Sequence, residues 1–184
     1  LPDEISSGLN TKIIGTKIYH YDMVNSTMDV AMDFGMKDCP EGAVVCAEAQ
    51  SKGRGRLGRV WTSLKNKGIY LSIVLKPNIS PVESPELTLL SAVSVCQAIR
   101  KISKLDCLIK WPNDLIIDNR KVGGILTEIN AEMDRIKFVV IGIGINVNTP
   151  QSLLPPKATS LKEQSGERVS RIELTKQILR EMES

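Results

Sequence analysis

The stretch from residue 106 to residue 147 constrains the fold most. It holds four runs rich in aliphatic and β-branched residues, "DCLIK" (106–110), "DLIID" (114–118), "RKVGGILTEI" (120–129) and "IKFVVIGIGINV" (136–147), separated only by short polar turns. Such runs read as strands, and strands joined by such short links read as hairpins. Asp118 and Asn119 suit a two-residue turn because both tolerate the left-handed backbone it demands. The polar "NAEMDR" supplies the next reversal. A largely antiparallel sheet follows.

Upstream, "KIYHYDM" reads as a short strand, "AVVCAEA" (43–49) as a buried one and "GIYLSIVLK" (68–76) as a half-buried one over 70–75. The stretch "NSTMDVAMDFGMK" reads as a helix opening at Asn25, Ser26 or Thr27, whose side-chain oxygens suit a cap. In "SPELTLLSAVSVCQAIRKIS", Ser84 sits at the cap, Pro85 in the first turn, and Leu89, Val93, Cys96, Ile99 and Ile102 form an apolar face. "SRIELTKQILREMES" opens with a capping box of Ser170 and Glu173. No repeat or linker divides the 184 residues, and 42% hydrophobic against 24% charged residues suits a packed globule. The expectation is one α+β domain over 1–184, a mixed, largely antiparallel sheet with helices packed on one face.

The net charge is only +3, which argues against a polycation for nucleic acid or membrane surfaces. Its distribution says more: no acidic residue lies between Glu48 and Glu83, while Lys52, Arg54, Arg56, Arg59, Lys65, Lys67 and Lys76 do. Cys39, Cys46, Cys96 and Cys107 are widely spaced in apolar surroundings and read as reduced core thiols of a cytosolic protein. His20 is the single histidine, so a metal cluster is not expected and a structural role for that ring is. No apolar run reaches the roughly 18 residues of a membrane span, and "LPDEISSGLN" lacks the regions of a signal peptide.

Four stretches do not suit mere packing. "GRGRLGR" (53–59) combines residues that let a backbone approach a ligand with forks that bind phosphate or carboxylate. Such runs also occur in disordered nucleic-acid-binding segments. In "KWPNDL", Lys110 ends an apolar strand at a lip suited to an anion, and Pro112 stops the ladder. "KVGGIL" places Gly123 and Gly124 inside a strand, a sign of a bulge or of close approach. In "GIGIN", Gly142 and Gly144 strip one strand face before Asn146. Glycines 53, 55 and 58 satisfy G-x-G-x-x-G, but the strand–helix–strand context of a dinucleotide fold is missing. By residue chemistry alone the ligand is a small anion plus a phosphate.

In order and conjunction, "GRGRLGRVW", "KWPNDL", "KVGGIL" and "GIGINVN" resemble the catalytic domain of the biotin protein ligases, from about Tyr21 to Asn148 and weakly through "ATSL". The resemblance implies a class II synthetase-like fold. It also implies an enzyme that joins biotin to ATP, with Mg2+, as biotinyl-5′-AMP, then passes biotin to a lysine of a biotin carboxyl carrier protein domain of a carboxylase. It implies a cytoplasmic protein with no nucleic acid or membrane partner, and leaves self-association into a homodimer open.

By the same resemblance the catalytic cations are Lys110, Arg54 and Arg56. The biotin site adds Ser26, Thr27 and Gln50 for the ureido group, Gly53 and Gly55 of the loop, and Gly123, Gly124, Gly142 and Gly144 as room for the ring. The ATP site takes Arg54, Arg56, Arg59 and Lys110, with Trp61 for stacking and Asn146 for adenine; no residue is assigned to metal. Met28 stands where the family usually has Asn. The expectation on domains is a single catalytic domain, with no N-terminal DNA-binding domain before Ser26 and without the family's small C-terminal barrel. The nearest rival is a lipoate or octanoate ligase or transferase of the same fold; a more distant one is a nucleic-acid-binding module using the basic loop.

Overall fold

A computed structural model of the protein describes residues 2–133 and 135–184. Seven strands form one sheet: β1 (Ile18–Tyr21), β2 (Val44–Ala47), β3 (Gly68–Leu75), β4 (Leu108–Lys110), β5 (Asp114–Ile117), β6 (Arg120–Glu132) and β7 (Arg135–Asn146). Their order is β1-β2-β3-β7-β6-β5-β4, and only β1 and β2 run parallel. Asp118 and Asn119 both take positive φ, 47° and 60°, which closes the β5–β6 hairpin as expected. β6 and β7 continue through the stretch read as a polar turn, with Glu132 opposite Arg135, and Asp134 lies outside the described residues.

The helices are α1 (Pro2–Ser6), α2 (Thr27–Met36), α3 (Ser84–Ser103), α4 (Leu161–Ser165) and α5 (Arg171–Glu183). The mixed, largely antiparallel α+β architecture is the expected one, and α3 and α5 share one face of the sheet. α2 corrects the expectation of a single helical face: it packs on the other side, where Met28 and Ala31 meet Val45, Val74, Phe138 and Val140. That second layer explains why β3, read as half-buried, is covered on both faces.

β7 runs down the middle, between β3 and β6. Its side chains alternate, as strand geometry requires. Val139, Ile141, Ile143 and Ile145 enter the α3/α5 core, and Phe138 and Val140 pack under α2. Gly142, Gly144 and Asn146 follow on the α2 side, Gly142 beneath Met28 of the first turn of α2 and the other two beyond it.

Three local readings need correction. Glu83, not Ser84, takes the cap position of α3, after a short turn in which Ser80 and Glu83 form a capping box. α3 buries Ala92, Val95, Cys96 and Ile99, while Leu89 and Val93 of the expected apolar face are exposed. β4 is a short edge strand whose Lys110 is exposed, so the lip of a buried strand is not where that lysine sits. His20 is structural as expected: its Nε2 lies 3.1 Å from Glu48 Oε1, and Arg171 Nη1 lies 2.9 Å from Glu48 Oε2, tying β1 and the end of β2 to α5.

Candidate active site

The site begins at the N-terminus of α2. Ser26 is the cap, accepting from Met28 N at 3.2 Å, and both Ser26 and Thr27 are buried. Gln50 Oε1 accepts from Thr27 N (2.8 Å) and Thr27 Oγ1 (3.2 Å), and Gln50 Nε2 donates to Ser63 Oγ (2.7 Å). Ser72 Oγ, from the middle of β3, donates to Thr27 Oγ1 at 2.9 Å. The result is a connected set of hydroxyl and amide groups held rigidly at one end of a recess.

The floor of that recess is the uncovered part of β6 and β7. Gly142 lies under Met28, where a β-carbon would stand 2.5 Å from the sulfur, and Gly144 lies under Trp61. Some of the room left by these glycines is therefore taken by protein side chains. Gly124 faces the Lys121 side chain at ordinary contact distance, and Gly123 turns the other way, against Leu115 and the Gly144 carbonyl.

A bulge in β6 places Lys121. Leu115 pairs with Gly123 but Ile116 pairs with Lys121, so one extra residue, Val122, is accommodated on β6. Strict alternation would put Lys121 on the core side with Gly123; the bulge brings it round to the side of Gly124. There Nζ lies 2.5 Å from Asp114 Oδ1 and 5.6 Å from the centroid of the Trp61 ring. The sequence reading did not single out Lys121. The bulge signal of the glycine pair beside it was the available clue.

The basic loop is an ordered hairpin. Gly55 N donates to Arg59 O (2.7 Å) and Trp61 N to Gly53 O (2.9 Å), and Leu57 and Gly58 take positive φ at the tip. Gly53 is fixed by crowding: a β-carbon there would strike the Trp61 carbonyl. Arg56 and Arg59 are exposed on the hairpin, and Arg54 Nη2 lies 3.0 Å from Asp29 Oδ1 and 2.9 Å from Glu128 Oε2.

These elements shape two adjoining recesses. The inner one is lined by Ser26, Thr27, Met28, Gln50, Arg54, Gly124, Leu126, Gly142 and Gly144 among others. The outer groove is lined by Leu57, Arg59, Val60, Lys110, Trp111, Pro112, Asn146 and Lys157 among others. Gly55, Arg56, Trp61, Asn113 and Lys121 line both and form the junction. Of the residues expected at an ATP site, Arg56, Arg59, Trp61, Lys110 and Asn146 gather at the outer groove, and Arg54 does not reach it. Of those expected at a biotin site, Gly53, Gly123 and Lys110 lie off the inner recess.

Two further groups bear on ligand binding. Asn146 is buried at the end of β7 and its Nδ2 donates to Thr159 O at 3.1 Å, which ties it to the "ATSL" segment. Trp61 Nε1 is buried without a hydrogen-bond partner among the described residues, a donor left open at the junction.

Comparison with known proteins supplies the family. Residues 21–146 match the model of the biotin/lipoate A/B protein ligase family. The chain belongs to that family. Among family relatives, the bifunctional ligase/repressor BirA of Bacillus subtilis (strain 168) is 42% identical over 180 residues, covering 96% of this chain and 55% of the relative. The biotin--[acetyl-CoA-carboxylase] ligase of Mycobacterium tuberculosis is 32% identical over 148 residues, covering 78% of this chain and 54% of the relative. The chain thus spans about half the length of these relatives. The biotin protein ligase from Aquifex aeolicus, solved in complex with biotin and ATP, superposes with a TM-score of 0.76 at 31% identity, covering 91% of this chain and 68% of that one. The matched span takes in the α2 cap, the basic hairpin, the β6 bulge and the glycine face of β7, so the inner recess is built from family sequence.

Proposed function

We propose that this chain activates biotin with ATP, giving biotinyl-5′-AMP and pyrophosphate, and then transfers biotin to a lysine of a carrier protein domain. The observation that carries this reading is the junction, where Arg56 and Lys121 stand between a recess lined by amide and hydroxyl groups and a cationic groove. A carboxylate attacking an α-phosphate brings two anions together, so fixed cations between the binding places lower the barrier most.

Biotin enters the inner recess with its ureido group toward Ser26, Thr27 and Gln50, and its ring over the glycine floor. Its carboxylate then reaches the junction. ATP lies in the outer groove, its phosphates among Arg56, Arg59 and Lys110 and its base near Trp61 and Asn146. A carboxylate oxygen forms the new bond to the α-phosphorus as the bond to the bridging oxygen breaks and pyrophosphate leaves. Lys121 and Arg56 offset the charge, and the Trp61 N–H supplies a further donor. In the second step the carrier amine attacks the acyl carbon, AMP departs with its oxygen, and the surplus amine proton passes to solvent. Leu57, Val60 and Trp111, all largely exposed at the mouth of the groove, give the carrier an apolar approach.

Magnesium accompanies the nucleotide by its own phosphate chemistry. Among the described residues no three His, Cys, Asp or Glu side chains gather to hold a cation, so no step is assigned to a protein-held metal. No helix among the described residues is long and apolar enough to cross a membrane. Relatives that are biotin ligases support biotin over lipoate, and so does the polar end of the recess: a ureido group uses several hydrogen bonds there, and a dithiolane ring uses none. Biotin-dependent exchange of pyrophosphate into ATP is the test. Exchange that requires lipoate and ignores biotin would overturn the reading.

A further inference from the structure

Arg54 carries a different message from its neighbours. Its guanidinium is met by two carboxylates at 3.0 and 2.9 Å, Asp29 in the first turn of α2 and Glu128 on β6. Three walls of the inner recess therefore converge on one group: the helix that presents Ser26 and Thr27, the strand that presents Lys121 and Gly124, and the hairpin that presents Arg56. With two anions already on it, Arg54 has no surplus charge to offer a phosphate.

An isolated surface ion pair is worth little, because ordering two long side chains costs entropy and solvent screens the charge. Here the partners come from a helix turn and a long internal strand, whose backbones are already fixed, and a planar guanidinium meets both at once. Asp29 also sits well against the helix dipole, which would explain its presence without any latch. Glu128 has no such reason: it comes from a strand distant in sequence and places its carboxylate beside Asp29, where, among the described residues, the shared Arg54 cation offsets their repulsion.

We infer that Asp29 and Glu128 are positioning residues that latch the 53–61 hairpin over the inner recess through Arg54, setting Arg56 at the junction. The inference rests on the biotin-activating reading for its kinetic consequences, but not for its mechanical one. Glu128→Gln and Asp29→Asn in the full chain should each raise the KM for biotin about three- to tenfold. The kcat at saturation should stay within about twofold, because the latch acts on capture and retention. Release of free adenylate should quicken. Adding Arg54→Ala to Glu128→Gln should do no more harm than Arg54→Ala alone, since both remove one device.

The substrate-free readout is trypsin cleavage after Arg56 and Arg59, which should quicken in both single variants while the thermal midpoint holds. Unchanged cleavage, or effects of Arg54 and Glu128 that simply add, would overturn the latch. A fall in kcat with KM unmoved would do so too, by making Arg54 a partner of the reacting atoms. A wild-type chain with no biotin-dependent exchange would defeat the functional reading alone, and the cleavage comparison would still decide the latch.

Discussion

The indole of Trp61 rests directly on Gly144: a β-carbon at that position would stand 2.7 Å from Cε2 and 2.8 Å from Nε1. The glycine thus sets how deep the ring sinks, and the ring is part of the wall common to both recesses. Gly144→Ala should push the ring outward and lower pyrophosphate exchange by about tenfold or more, as a misplaced wall does in a preorganised site. The neighbouring Gly142→Ala meets the flexible thioether of Met28, which can turn aside, so its effect on exchange should be smaller. Exchange assays on the two variants check the order.

Lys121 and Lys110 should separate cleanly. Lys121 stands at the junction, aimed by Asp114 and the Trp61 ring, while Lys110 is exposed and touches only the outer groove. Lys121→Met should cut kcat for adenylate formation by about a hundredfold or more, the typical loss for an aimed charge in a protected site. Lys110→Met should cost about tenfold or less and raise the KM for ATP. Initial-rate kinetics in both substrates test the contrast.

Met28 is buried, with its sulfur over Gly142. Met28→Asn would place an amide in that apolar contact and should destabilise the chain by about 1–3 kcal/mol. Saturating biotin should shrink the deficit, because the new amide faces the recess and gains a partner there. Urea unfolding with and without biotin measures both terms.

Alkaline stability follows from two buried groups. Burial pushes the Cys46 thiol up to about 12 and the Tyr70 phenol up to about 12. The unfolded chain releases these protons near about 8.5 and 10. Both contributions are therefore complete below those values and are lost as pH climbs toward 12. Between them the unfolding free energy should fall by about 1.4 kcal/mol per pH unit for each group in its window. Denaturant midpoints measured from pH 8 to 11 should decline, and Tyr70→Phe should flatten the upper part of the decline.

Local chemistry was readable from the chain; relations between distant segments were less so. Asp118 and Asn119 announced their turn, Ser26 its helix cap, and the glycine pair at 123–124 its bulge, because each signal resides in a few adjacent residues. The face on which α2 packs depends on the whole sheet, and no window around residue 30 contains it. The period of α3 selected Leu89 and Val93, which are exposed, because its buried face is built of the smaller Ala92, Val95 and Ala98. Lys121 was passed over because alternation fails at a bulge. The pairing of Arg54 with Asp29 and Glu128 was not legible, because those carboxylates are remote in sequence and only folding brings them to it.

The alternation along β7 has an evolutionary corollary. Ile141, Ile143 and Ile145 answer to packing, while Gly142, Gly144 and Asn146, interleaved with them, line the two recesses. Two selective pressures are thereby threaded through one strand out of phase. Drift that enlarges or trims the core can proceed at odd positions without passing through the chemistry, and a lineage adjusting its substrate can work the even ones while its hydrophobic interior stands still.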